Sequence, residues 1–274
     1  MQVTTHRQIQ TSHGRIAVET RGEGFPVVFI HGNSACRQVF QKQMSCPQLD
    51  GYHLISFDLP GHGESDDAPD GDRTYSRPGL ADLVVELLGK LEIDQAAIVG
   101  ASLGGHIAIE MLARSGISQG QFLMGTPAVG SDFAAGFIGK PLNGLASRGE
   151  LTPEEAQQFA RFVYGDDFEP FMQKAIERAD REFRGKLFAS AKQGAGVNQR
   201  AMLALTKTST AIVNGEQDKV VNLDYIDSVP YANLWRGKCY RIPNATHSPF
   251  WEVPDIVNRL LADFLKDLVS RMKA

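Results

Sequence analysis

The chain has 274 residues, of which 42% are hydrophobic, with a formal net charge of −4 and an isoelectric point near 6.0. This length and composition exclude a disordered chain and support one large domain, or a domain that carries a sizeable insertion. The slightly acidic balance argues against nucleic acid or a membrane surface as partner, so we expect a small-molecule substrate. The oligomeric state stays open.

Features of the N-terminus and the cysteines favour a cytoplasmic location. The first 20 residues are too polar for a signal peptide, and no apolar run approaches the roughly 20 residues of a membrane-spanning helix. The three cysteines, Cys36, Cys46 and Cys239, lack the paired spacing of a zinc or redox site, as expected for reduced thiols. The seven histidines form no cluster with carboxylates, so we expect neither a metal nor another cofactor.

Strand and helix signals alternate along most of the chain. Short apolar runs that end at turns predict buried strands over residues 27–30, 53–57, 96–100, 121–124, 210–214 and 237–242. Apolar residues at helical spacing predict amphipathic helices over residues 80–91, 103–114 and 256–268. This alternation predicts the α/β class, with a mostly parallel central sheet and helices on both faces.

The alternation breaks between residues 129 and 208, where helical patterns and loops occur without a convincing strand. We interpret residues 129–208 as a helical cap, inserted into a core that residues 1–128 and 209–274 form. The stretch Thr152-Pro153-Glu154-Glu155 is a capping box with proline at the first helical position. A helix is therefore predicted to begin there.

The strongest chemical signal is Gly100-Ala101-Ser102-Leu103-Gly104-Gly105, a nucleophile-elbow pattern between a predicted strand and a predicted helix. Residues without bulky side chains let the strand and the helix approach closely enough to hold a serine on a strained turn. Ser102 is therefore the predicted nucleophile. The helix presents unpaired N–H groups at its start, so the N–H of Leu103 is the expected first donor to an oxyanion.

A serine hydroxyl needs a base that takes its proton, and His247 has a suitable position for this role. It lies in a loop over residues 244–250, between the last predicted strand and the C-terminal helix. The acid that orients the histidine is expected between the last two strands, where Asp218 lies, with Glu216 as the alternative. Four other histidines are expected to be structural or solvated: His6, His13, His53 and His62. His106, one turn into the predicted nucleophile helix, is expected to pack or hydrogen-bond locally.

The second oxyanion donor is expected in the loop after the strand over residues 27–30, which reads His31-Gly32-Asn33-Ser34. We predict Asn33 in this role, through either its backbone N–H or its side chain. Ser34 is one alternative, and a purely structural turn is another.

Several of these motifs together resemble the α/β-hydrolase superfamily over the whole chain; they are residues 31–33, 58–63, 100–105 and the loop of His247. Further stretches look like the metal-independent N-acylhomoserine lactone hydrolases, which are quorum-quenching enzymes; they are residues 11–18, 31–34, 102–107, 198–200 and 233–238. The similarity includes the cap. Two positions differ, because that family has a glutamate as triad acid and a tryptophan after the nucleophile, where this chain has Asp218 and Leu103.

The resemblance implies a serine-mediated opening of a homoserine lactone ring, with the acyl chain held between cap and core. Ser102 would attack the carbonyl while His247 takes its proton, and water would then open the acyl-enzyme. Phe159 and Phe162 follow the capping box on the same predicted helix, and we expect both to contact the acyl chain.

Other activities would use the same triad. A general carboxylesterase, a carbon–carbon bond hydrolase or a perhydrolase would share each of its residues, so only substrates separate them from a lactonase. Haloalkane dehalogenases and epoxide hydrolases carry an aspartate at the elbow, and Ser102 argues against both. A small-ligand receptor that retains a slow triad is the alternative from another class, and very slow turnover with tight binding would favour it.

Overall fold

A computed structural model describes residues 3–166 and 168–273, and within them eight strands form one sheet in the order β1-β2-β4-β3-β5-β6-β7-β8. The strands are β1 (Thr4–Thr11), β2 (Gly14–Arg21), β3 (Phe25–Ile30), β4 (Tyr52–Phe57), β5 (Ala96–Ala101), β6 (Ser118–Met124), β7 (Ser209–Gly215) and β8 (Tyr240–Ile242). β2 pairs with β1 and β4 in antiparallel fashion, and the other pairs are parallel. The predicted α/β class with a mostly parallel sheet is confirmed.

Helices occupy most of the connections between the strands. They are α1 (Gln41–Met44), α2 (Gly71–Thr74), α3 (Arg77–Lys90), α4 (Leu103–Met111), α5 (Pro153–Tyr164), α6 (Pro170–Arg178), α7 (Phe183–Lys192), α8 (Gln199–Leu205), α9 (Leu223–Asp227), α10 (Pro249–Glu252) and α11 (Pro254–Met272). The helices α3 and α4 pack against each other, and α11 packs against β6 and β7. No helix in the described ranges is long and apolar enough to cross a membrane.

The first two strands form a hairpin that the apolar patterns do not reveal. β1 is mostly exposed along its length and carries Thr, His, Arg and Gln side chains. β2 supplies the buried core residues of the hairpin, such as Ile16 and Val18, whereas β1 adds only the partly buried Ile9. An edge strand with one neighbour and a solvent-exposed face can form without apolar residues, so an apolar pattern does not predict it.

The last strand is shorter than its apolar pattern predicts. Residues 237–239 lie outside β8, because Arg236 and Gly237 have φ values of 53° and 67° in the turn before it. Positive φ is incompatible with an extended strand, so pairing with β7 begins only at Tyr240.

The segment between β6 and β7 contains α5 to α8 and shorter 3₁₀ turns, and Phe137 forms an isolated bridge with Val221. We call this segment, residues 129–208, the helical insertion. Its capping box forms as the sequence indicates. The Thr152 hydroxyl accepts from the N–H of Glu155, and the Glu155 carboxylate accepts from the N–H of Thr152 at 3.0 Å.

The parallel strands bring four loops to one edge of the sheet. Parallel strands present their carboxyl ends on the same side, and ligands of such sheets bind outside that edge. Asn33 follows β3, Ser102 follows β5, Asp218 follows β7, and His247 follows β8. These are residues that the sequence singles out, and the fold gathers them at one place.

Candidate active site

Ser102 occupies a sharp turn between β5 and α4. Its φ of 52° and ψ of −115° lie outside the conformations that a serine ordinarily adopts. The turn holds this strain through hydrogen bonds, since the Ser102 N–H donates to Met124 O at 2.8 Å and the Thr126 hydroxyl donates to Ser102 O at 2.9 Å. Gly104 is required beside it, because a Cβ there would lie 1.9 Å from the carbonyl oxygen of Ile30.

His247 and Asp218 form a buried pair, with Nδ1 of the histidine 2.8 Å from Oδ2 of the aspartate. The other carboxylate oxygen accepts from the N–H groups of Val220 and Val221 at 2.7 and 3.1 Å. Asp218 is therefore the acid that reaches the histidine, whereas the alternative Glu216 is exposed. With Nδ1 engaged in this way, Nε2 of His247 is the nitrogen that can take a proton.

Asp218 and His247 stabilise each other's charged forms. Burial alone would raise the pKa of Asp218, but the charge of His247 and the hydrogen bonds outweigh it and hold that pKa below its usual value. Burial alone would lower the pKa of His247, yet the carboxylate of Asp218 outweighs it, with a smaller contribution from Glu252, and the pKa is raised. A raised pKa makes the imidazole a better acceptor for the serine proton.

Glu252 at the end of α10 holds the loop of His247, a role that the sequence reading missed. Its carboxylate accepts from the N–H of Thr246 at 2.5 Å and, through its other oxygen, from the Thr246 hydroxyl. Thr246 directly precedes the histidine in the chain. The histidine loop is thus bound to the core on both sides of the imidazole, by Asp218 and by Glu252.

The side chain of Asn33 is already engaged. Its Nδ2 donates to Ala146 O of the helical insertion at 2.9 Å, and its Oδ1 accepts from the Ser34 hydroxyl at 2.8 Å. The backbone N–H of Asn33 is therefore the group that this residue can offer to an oxyanion, together with the N–H of Leu103 at the start of α4. Ser34 serves as a support instead, since its own N–H donates to Nε2 of His62 at 3.2 Å.

Arg184 of α7 anchors the loop of Asn33 to the helical insertion. This arginine is 2% exposed, and its Nη1 donates to the Ser34 hydroxyl oxygen at 2.7 Å. Its other donors hold the insertion itself, with Nε bonded to Arg148 O and Nη2 to Gly149 O, each at 2.5 Å. A chain of hydrogen bonds thus runs from the insertion through Arg184 and Ser34 to Asn33.

The remaining histidines that the structure describes near the site have structural partners. His62 is buried under the Asn33 loop, and His106 bonds to Gln199, which lies 93 positions away, instead of to a local group. Burial lowers the pKa of His106 to about 4, with a further contribution from the charge of Arg77. His106 is therefore neutral at physiological pH.

A cavity of about 90 Å³ opens above the serine, and we call it the inner cavity. Ser102, His247, Leu103, Asn33 and Phe159 all line it, so the structure brings the predicted residues together. Residues of the helical insertion supply most of the other wall, and the aromatic ones among them are Phe133, Phe137, Tyr164 and Phe188.

Of the two residues predicted to contact the acyl chain, Phe162 is the one that the inner cavity does not reach. It is half-buried and packs against the core, outside the lining. Val163, four positions after Phe159, takes the neighbouring place in the wall. One face of α5 points to the cavity, and Phe162 lies beside that face.

Comparisons with known proteins agree with the fold. Residues 27–260 match the alpha/beta hydrolase family. The structure of a mutant N-acyl homoserine lactonase AidH, complexed with N-hexanoyl homoserine lactone, superposes with a TM-score of 0.94 at 38% identity, covering 97% of this chain and 99% of that one. AB hydrolase superfamily protein YisY of Bacillus subtilis (strain 168) is 25% identical over 92% of this chain and 96% of its own length. The similarity indicated by the motifs is confirmed.

Proposed function

Because this chain belongs to the alpha/beta hydrolase family, we propose that it is a serine hydrolase that opens N-acylhomoserine lactones through an acyl-enzyme. One observation carries the proposal. A strained Ser102 and the buried pair of His247 and Asp218 face one apolar cavity, at the edge where parallel strands end. The similarity to a lactonase at 38% identity over 97% of the chain supports the substrate class.

The first step is attack on the lactone carbonyl. Ser102 Oγ forms a bond to the carbonyl carbon while Nε2 of His247 takes the hydroxyl proton. Negative charge develops on the carbonyl oxygen, and the N–H groups of Leu103 and Asn33 stabilise it. The ring C–O bond then breaks, and His247 returns the proton to the leaving alkoxide.

The second step frees the enzyme. In a lactone the leaving alcohol remains attached to the acyl group, so a water molecule must open the ester bond to Ser102 before the product departs. His247 takes a proton from that water, and the same two N–H groups hold the second oxyanion. The bond between the acyl carbon and Ser102 Oγ then breaks, and His247 returns the proton to Oγ. Asp218 stabilises the imidazolium in both steps and keeps the ring in one orientation.

The helical insertion acts as a cap over the acyl group. Its phenylalanines give the inner cavity an apolar wall, which suits an acyl chain. We therefore divide the chain into a core of residues 1–128 and 209–274 and a cap of residues 129–208, and we place the acyl chain against Phe159. A cytoplasmic location would suit an enzyme that acts on such diffusible molecules.

The decisive experiment is pH-stat titration of acid release from N-acylhomoserine lactones of several chain lengths. It compares the unaltered enzyme with Ser102→Ala, each with and without a chelator. We expect release that the chelator does not change and that the substitution abolishes. No release from lactones, in an enzyme that still cleaves aryl esters through Ser102, would contradict the lactonase proposal and leave a general carboxylesterase.

A further inference from the structure

His106 of α4 is a buried histidine that the proposed mechanism does not use. It is 7% exposed, and it lines the inner cavity together with Ser102. Its backbone N–H donates to Ser102 O at 3.3 Å, so the two residues lie one helical turn apart on the same side of α4. A polar ring so near the nucleophile, in a cavity with a largely apolar wall, calls for an explanation.

The buried side chain of Gln199 determines which ring nitrogen of His106 carries the proton. The amide nitrogen of Gln199 donates to the backbone carbonyl of His106 at 3.1 Å, and a carbonyl oxygen can only accept, so this bond sets the orientation of the amide. The amide oxygen of Gln199 then lies 2.7 Å from Nδ1 of His106. Since that oxygen also only accepts, Nδ1 must be the protonated nitrogen. Nε2 of His106 is left with a lone pair, and a pKa of about 4 keeps the ring neutral.

Nε2 of His106 is accessible from the inner cavity. No residue in the described ranges donates a hydrogen bond to it. It does not belong to the buried polar side-chain atoms that the described part of the chain leaves without a partner, so protein does not seal it off. Phe137 of the helical insertion lies beside the imidazole, with 6.5 Å between the ring centroids, and lines the same cavity. The cavity thus presents one fixed hydrogen-bond acceptor near Ser102.

We propose that Nε2 of His106 accepts a hydrogen bond from the amide N–H of the substrate, and so selects substrates with an acylated amino group next to the reacting carbonyl. This inference rests on the proposed function, since it takes the reacting carbonyl to lie at Ser102. Side chains one helical turn apart are separated by about 5–6 Å at their Cβ atoms, a span that the attacked carbonyl and an N–H on the adjacent carbon can bridge. An ester or lactone without that N–H would occupy the cavity and leave Nε2 unpaired, which is costly.

The test compares N-hexanoylhomoserine lactone with its carba analogue, in which a methylene group replaces the amide N–H at equal length. Their kcat/KM values are measured by pH-stat for the unaltered enzyme, His106→Asn, His106→Met and His106→Gln. We expect His106→Asn to lower the ratio of amide to carba substrate about threefold to tenfold, the value for one hydrogen bond between neutral groups. Asparagine keeps a donor towards Gln199 but has no atom in the place of Nε2, and methionine offers neither group. Glutamine can place its amide oxygen there, so His106→Gln should retain more of the ratio than the other two.

Phe137→Leu is the matched control, because Phe137 lies beside the same imidazole and lines the same cavity without a polar group. It should change kcat/KM for both lactones alike and leave their ratio unchanged. Equal ratios in the unaltered enzyme and His106→Asn would overturn the proposal and leave His106 as a brace for Gln199. Retained cleavage of an aryl ester shows that a variant is folded. If His106→Asn does not fold, an unchanged ratio in His106→Met rejects the proposal.

A binding measurement separates failure of this inference from failure of the proposed function. If the unaltered enzyme opens neither lactone, the proposed function fails, and calorimetric titration of both lactones into Ser102→Ala, with and without His106→Asn, still tests His106. Tighter binding of the amide lactone to Ser102→Ala, lost when His106→Asn is added, would support the inference. No binding of either lactone, or the same ratio of Kd values in both proteins, would reject it.

Discussion

The two sides of Ser102 are held by different parts of the molecule. On the base side, His247 is bound by Asp218 and by the Thr246–Glu252 contact, and all of these residues lie in the C-terminal part of the sheet core. On the oxyanion side, the Asn33 loop is tied through Ser34 to Arg184 in the helical insertion. The core alone therefore positions the base and the N–H of Leu103, whereas the loop of Asn33 is also held by the insertion.

Substitutions on the two sides should therefore have different effects on catalysis. A change on the base side should alter proton transfer and its pH dependence. A change in the insertion should alter the stabilisation of the oxyanion, without a change in the pH at which the histidine titrates. The predictions below test this separation, and they run from the largest expected effect to the smallest.

Asp218→Asn should produce the largest loss, about 10⁴-fold in kcat, because an amide cannot hold the histidine in the required tautomer. The measurement is kcat for an aryl ester, with the near-ultraviolet circular dichroism spectrum as a check on folding. Glu216→Gln is the matched control, since Glu216 is exposed. A similar loss in both variants would contradict the assignment of the triad acid.

Arg184→Met should lower kcat about 10- to 100-fold with a smaller effect on KM, because it releases Ser34 and so the loop of Asn33. This is less than the loss from removing an oxyanion donor outright, which costs about 10²–10³-fold. Arg178→Met is the control. Arg178 also joins the insertion to the core, through Ser65 O at 2.9 Å, but it does not touch the Asn33 loop. Equal kcat in the two variants would contradict the inference that Arg184 positions the loop of Asn33.

Phe159→Ala should reduce kcat/KM for long-chain substrates more than for short ones, by about tenfold, since a buried phenyl ring contributes a few kcal/mol of apolar contact. Phe162→Ala is a matched control on the same helix, because the inner cavity does not reach it. A series of acyl chain lengths measures the effect. An unchanged preference in Phe159→Ala would place the acyl chain elsewhere.

Glu252→Gln should have the smallest effect on rate and a distinct effect on pH dependence. His247 must be neutral to accept a proton, so kcat/KM falls as the pH drops through its pKa, which is raised above 6.5. Removal of the Glu252 charge takes away one cause of that rise, so the acid limb of the profile should move to lower pH. Arg184→Met should leave the acid limb at the same pH. A shift in that variant would contradict the inference that the two sides of Ser102 are held independently.

Local patterns in the sequence were sufficient to predict the structural elements around Ser102. The nucleophile elbow and the capping box are determined by neighbouring residues, because turns and helix starts depend on small residues and on side chains that bond nearby backbone groups. Buried strands such as β5 are apolar along their whole length and are therefore readable as well. The proposed triad was inferred from the order of these elements along the chain.

Only the tertiary structure decided which distant groups meet. Arg184 and Ser34 are 150 positions apart, and Arg77 contacts the carbonyl of a residue 118 positions away. Composition and periodicity carry no information on such pairs, because each side chain by itself reads as an ordinary surface arginine or loop serine. The same reason explains Phe159 and Phe162, which share a helix and a residue type and differ only in which neighbours the fold brings to them.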